Sequence, residues 1–186
     1  MILTREEALD LLNSYVKNER MLNHCYASEA VLSALARRLG EDEEKWGIAG
    51  LLHDLDIELV NGDLNVHGLE AERILKEKGL EPDIVDAILM HNEAVSPTKR
   101  QTKFQHALSA GETITGLIVA TTMVYPDKKL TSVKPKSVIK RMKEKAFAAS
   151  VSRENIMECE KLGISLDEFV DISINAMREI SDKIGL

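Results

Sequence analysis

Cysteine is scarce in this chain: Cys25 and Cys159 are the two among 186 residues, and they lie far apart. That excludes a disulfide-stapled secreted scaffold and a cysteine-based structural zinc site, and it suits a reducing, cytoplasmic setting. Long apolar runs are missing as well. The longest, Ile114 to Tyr125, covers about a dozen residues and holds three threonines. A bilayer span needs about 20, so this run predicts a core helix and no membrane contact. The first residues, Met1-Ile2-Leu3-Thr4-Arg5-Glu6-Glu7, turn polar at once, and no signal segment is expected. There is no Gly-rich phosphate loop, Gly-x-Ser-x-Gly elbow, Cys-x-x-Cys pair or dinucleotide fingerprint.

What is present is the balance of a soluble globular protein, 44% hydrophobic and 30% charged residues. The length fits one domain. The net charge is −7, unevenly spread: residues 128–153 hold nine Lys/Arg and one acid, leaving 15 basic against 30 acidic residues elsewhere. A general nucleic-acid surface is therefore disfavoured, while a local anion-binding patch at Lys136, Lys140 and Arg141 is open. The bland reading of that patch is a solvated helix face.

Helical signals dominate. Thr4-Arg5-Glu6-Glu7 is a capping box opening a helix to about Val16. A second helix covers Glu19 to Leu39, and Gly40 stops it. Its apolar stripe, Met21, His24, Ala27/Ser28, Val31 and Leu35, puts His24 on the buried face. Asp42 caps a third, predicted to reach Asp54. Others are predicted from about His67 to Lys78, from Pro82 toward His91, over Lys103–Val124, from Pro135 to about Ala149, after Ser152, and from Leu166 to about Ile184. No strand, repeat or low-complexity segment is visible. The fold class is all-α, read as residues 1–125 forming a metal-binding helical domain and 126–186 a C-terminal helical extension packed on it.

Chemistry centres on Gly50-Leu51-Leu52-His53-Asp54-Leu55-Asp56, where an imidazole and a carboxylate adjoin at the end of an apolar run. If the second and third helices form a hairpin around Gly40, His24 and His53 sit little more than one helical turn apart, a gap that tilt can close. On the long helix, the face Phe104, Leu108, Glu112, Thr115, Val119 is apolar except for one carboxylate and one threonine. A buried carboxylate needs a cation, a partner or a proton, and Gly111 beside it permits close approach. His67 and His91, at or near helix ends, could serve a second metal or a substrate phosphate. Alone, each reads equally well as a capping or solvated histidine. Glu58 is a candidate general acid or base; Asp56 reads better as an ordinary polar residue after a helix. His106, about 120° around the helix from Glu112, is set aside.

Two imidazoles with two carboxylates favour a divalent ion such as Mn²⁺, Fe²⁺, Co²⁺, Ni²⁺ or Zn²⁺, with Mg²⁺ still admissible. Such an ion activates water and polarises a phosphoryl group. The pattern resembles the HD superfamily of metal-dependent phosphohydrolases, in its HDIG-type branch, over roughly residues 20–125. The resemblance implies a helical HD bundle in which His24, His53, Asp54 and Glu112 bind metal, with His67 and His91 as the additional histidines of members holding two ions. Three departures stand out: Glu112 occupies a position where Asp is usual, Asp56 one where Gly is usual, and His91-Asn92 replaces a His-His pair. The last, with no Gly-Tyr-Pro signature, argues against the cyclic-dinucleotide-cleaving HD-GYP branch. The expected activity is metal-dependent hydrolysis of a nucleotide or other small phosphate ester, with Asp54 and Glu58 as catalytic candidates. The alternatives are a non-catalytic HD-fold module binding nucleotide or metal and, more weakly, a nuclease. Self-association is left open.

Overall fold

The computed structural model describes residues 3–186; Met1 and Ile2, where the polar N-terminus begins, lie outside the described residues. Among those described, all regular structure is helical: α1 (Arg5–Tyr15), α2 (Glu19–Leu39), α3 (Glu43–Leu52), α4 (Leu69–Glu77), α5 (Pro82–Leu89), α6 (Lys103–Met123), α7 (Pro135–Met142), α8 (Arg153–Met157) and α9 (Leu166–Glu179), with 3₁₀ turns at Leu130–Ser132 and Glu158–Leu162. None is long and apolar enough to cross a membrane.

The helix starts follow local chemistry. Thr4 and Thr102 form capping boxes with Glu7 and Gln105, each satisfying amides that the first turn leaves without partners. Asn18, Asp42, Ser152 and Ser165 cap α2, α3, α8 and α9 through their side chains. Pro82 and Pro135 sit in first turns, where a missing amide proton costs nothing. Gly40 ends α2 at φ 71°, a left-handed conformation that other residues adopt only with strain.

Helices α2 and α6, 21 residues each, are the axes of the bundle. Most of α6 is buried all round, from Phe104 to Thr122, so it is the central helix. α3 folds back on α2, and α3, α5 and α9 also contact α6. Stacking of Trp46 on Phe104, rings 5.2 Å apart and nearly parallel, ties α3 to the start of α6. α8 and the Glu158–Leu162 turn also pack on α6, and α9 packs on α2 and α7.

Three helix ends differ from the sequence expectation. α3 stops at Leu52, and residues 53–62 form successive turns rather than a last helical turn. α7 stops at Met142 instead of Ala149. There the Arg153 guanidinium donates to the carbonyls of Arg141, Glu144, Phe147, Ala148 and Val151, giving those oxygens a partner in place of the amides of a continued helix. α9 stops at Glu179, before turns over residues 180–185.

Candidate metal centre

Helix–helix contact at glycine builds the first half of the site. A Cβ on Gly50 would lie 2.6 Å from the Ser28 carbonyl oxygen, so α3 meets the backbone of α2 directly. One on Gly111 would lie 2.5 Å from Leu32 Cδ2, so α6 seats closely on α2 as well. These approaches bring His53, at the end of α3, and Glu112, in the middle of α6, to His24. The His24 and His53 Nε2 atoms are 3.0 Å apart, and Glu112 Oε2 is 3.7 Å from His24 Nε2.

The second half comes from helix ends. His67 precedes Gly68, which starts α4 at φ 96°; His91 follows the end of α5. Their Nε2 atoms also stand 3.0 Å apart. Asp54 joins the two halves. Its Oδ2 lies 3.5 Å from the Nε2 of both His24 and His53, and its Oδ1 lies 3.1 Å from His67 Nε2 and 3.7 Å from His91 Nε2.

The outer ring nitrogens fix what the inner ones present. His53 Nδ1 meets the Gly50 carbonyl and His91 Nδ1 the Ile88 carbonyl; carbonyls only accept, so both Nδ1 atoms donate. The Thr115 hydroxyl donates to the Glu112 carbonyl, so it accepts from His24 Nδ1. In their neutral rings His24, His53 and His91 thus turn Nε2 lone pairs inward. Two lone pairs facing at 3.0 Å, as in His24 and His53, require a proton or a cation between them.

The electrostatics agree. Burial drives His53 down to about 3, so it is a neutral ring. Burial works against the Asp54 carboxylate, but His53, His67, His91 and His24 outweigh it and hold Asp54 well below the usual range. Burial raises Glu112, with His24 and His91 only partly offsetting it. His67 behaves differently: despite burial, the Asp54 and Asp56 carboxylates lift it to about 9, so without an ion it is charged. Two ligand groups follow, His24 with His53 and Glu112, and Asp54 with His67 and His91, each compact enough to hold a metal ion.

The structure therefore brings His24, His53, Asp54, His67, His91 and Glu112 together. It does not bring Glu58, whose carboxylate instead accepts from the backbone amides of Lys17 (3.0 Å) and Asn18 (2.7 Å), pinning the turns after α3 to the α1–α2 connection. Nor do Lys136, Lys140 or Arg141 line the cavity over the cluster. They sit on α7, where Arg141 pairs with Glu144 and lies over the Phe147 ring. Their spacing fits a helix face, which says nothing of where that face points. His106 pairs with Glu158, away from the cluster.

Three supporting residues went unread in sequence. Asp56, which by sequence reads as an ordinary polar residue after a helix, is fully buried. Its Oδ1 lies 2.7 Å from His67 Nδ1, and its Oδ2 accepts from the amides of Gly68 and Ala71 at 2.8 and 3.0 Å. It caps α4 from outside and orients His67. Asn92 donates to the carbonyls of Leu64 and His67. Arg100, buried against Glu158, donates to the Met90 carbonyl at the end of α5.

A cavity of ≈ 440 Å³ opens over the cluster, walled by Thr113, Asn92, Ser150, Ser152 and Asn155. Residues 21–121 match the family model described as HD domain. That is more than half of the chain, and it contains all six clustered side chains. The chain belongs to the HD domain family, a superfamily of metal-dependent phosphohydrolases whose domains bind divalent metals.

Proposed function

We propose that this protein is a metal-dependent hydrolase of a nucleotide or other small phosphate ester. The observation that carries the reading is the pair of inward lone pairs on His24 and His53, set 3.0 Å apart beside two carboxylates. His24, His53 and Glu112 would hold one divalent ion, His67 and His91 a second, with one Asp54 oxygen turned to each pair. When bound, such ions lower the pKa of water and polarise the phosphoryl group. The chain supplies the rest. Asp56 orients His67, the Gly50 and Ile88 carbonyls fix the rings of His53 and His91, and the Ser/Thr/Asn wall offers hydroxyls and amides to phosphoryl oxygens. Residues 126–186 act as an extension that contributes Ser150, Ser152 and Asn155 to that wall.

The test is metal analysis of the purified protein joined to a phosphoester panel with Mn²⁺, Co²⁺, Ni²⁺, Mg²⁺ and Zn²⁺. Turnover that vanishes with chelator and with Asp54→Ala supports the reading; turnover indifferent to both sinks it. Glu112, standing where the HD pattern carries Asp, favours a second reading as a module that binds without turnover. Tight metal binding with no cleavage under any of the five ions would select it.

A further inference from the structure

Two adjoining compartments of this site differ in polarity, the one over the histidine cluster being the more polar. No lysine or arginine lines the cavity over the histidine cluster among the described residues; beyond the cluster its wall mixes the apolar Ile57, Leu64 and Val151 with neutral hydroxyls and amides, and Glu93 stands at the rim. Arg100 already engages Glu93. Beside this cavity a groove of ≈ 510 Å³ runs between α2 and the C-terminal half of α6, surfaced by Ala27, Val119, Ala120, Met123 and Ile184. The two spaces share His24 and Gly116, and the glycine puts no side chain between them. The groove's one cation is Arg20.

We propose, resting on the phosphohydrolase reading, that the groove seats the organic part of the substrate, which is a single-phosphate ester of a largely apolar alcohol. The continuity at His24 and Gly116 places an apolar chain or ring next to the point where the phosphoryl group would sit. Small-molecule sites combine an apolar surface with a few fixed polar groups in this way. Ions at the cluster would serve one phosphoryl group; beyond them the two spaces offer a di- or triphosphate tail a single guanidinium, Arg20, a poor match for its further charges. In the reaction, the oxygen of water bonds to phosphorus and the ester P–O bond breaks. The departing alcohol oxygen takes up a proton from water, leaving the free alcohol and inorganic phosphate.

The test compares ethyl phosphate with octyl phosphate, esters with similar leaving groups, on the Mn²⁺-loaded protein. Octyl phosphate is expected to be favoured by about tenfold or more in kcat/KM. Ala120→Trp, which fills the groove, is expected to cut that ratio by a similar factor. An independent readout uses 1-naphthol, a fluorescent apolar alcohol, titrated into metal-free protein; it binds the wild type and binds Ala120→Trp about tenfold more weakly. Equal efficiency on both esters overturns the groove assignment while upholding the phosphohydrolase reading, and so does equal naphthol binding by both proteins. Adenosine triphosphate cleaved in preference to adenosine monophosphate overturns the single-phosphate assignment. Cleavage of neither alkyl ester nor any nucleotide overturns the phosphohydrolase reading, and the substrate assignment with it.

Discussion

Asp56 Oδ1 lies 2.7 Å from His67 Nδ1 while its other oxygen accepts from the amides of Gly68 and Ala71 at the start of α4, so one buried carboxylate sets both a helix start and a ring. Asp56→Asn keeps the size but turns an amide group against donors. A buried donor left without a partner costs about 1–3 kcal/mol, which thermal or urea unfolding will read. Metal affinity should fall about 10–100-fold, as for other residues that orient a ligand. Unchanged metal affinity by calorimetry would show that Asp56 serves α4 alone.

Protonation of His67 gives a pH prediction with opposite signs for stability and binding. The ring goes from an ordinary 6.5 up to about 9 in the metal-free fold. Between those values the folded state holds the extra proton and the unfolded state does not, so this stabilisation is full below pH 6.5 and lost as pH rises through 9. Ion binding at Nε2 must expel that proton, so affinity should climb across the same window, with proton release measurable by calorimetry in buffers of different ionisation enthalpy. Affinity flat from pH 6.5 to 9 would contradict it.

Glu112 separates function from stability. Burial raises its pKa, so its charged form is disfavoured by the fold. Glu112→Gln should leave metal-free stability unchanged or higher, yet weaken the ion at His24 and His53 about 10–100-fold. A loss of metal-free stability would mark Glu112 as structural. Glu112→Asp, which keeps the charge, should retain more of the affinity.

How much of this was legible beforehand depended on whether a helix carried the residue. His24, His53 and Glu112 sit on α2, at the end of α3 and on α6, where period and turn position predict direction. Asp56 lies in a run of turns after α3, which no apolar period describes, and its buried role is not legible there. His67 and His91 are both readable as helix-end histidines, but their meeting depends on how α4 and α5 pack. Lys136, Lys140 and Arg141 erred the other way: their charge run is real, and it faces a different part of the surface. The all-helical class was the easier inference, since caps and stop signals repeat along the whole chain.

Gly50→Ala tests the packing that underlies the site. The new methyl would meet backbone atoms of Ser28 and Glu29, which cannot swing aside. Overpacking of this kind costs about 1–3 kcal/mol. Because the clash pushes α3 off α2, metal affinity should fall along with stability. Affinity preserved in a destabilised variant would show that His53 is placed by something other than this contact.

Both α3 and α6 touch α2 through a residue without a side chain. The positions of His53 and Glu112 are thus each gauged from one common helix. At Gly50 the gauge point is the α2 backbone itself, and at Gly111 it is the packed side chains of Val31, Leu32 and Leu35. The same economy makes α2 the element least free to vary. A volume change at Leu32, two turns along from His24, displaces a ligand on a different helix while leaving the histidine itself where it was.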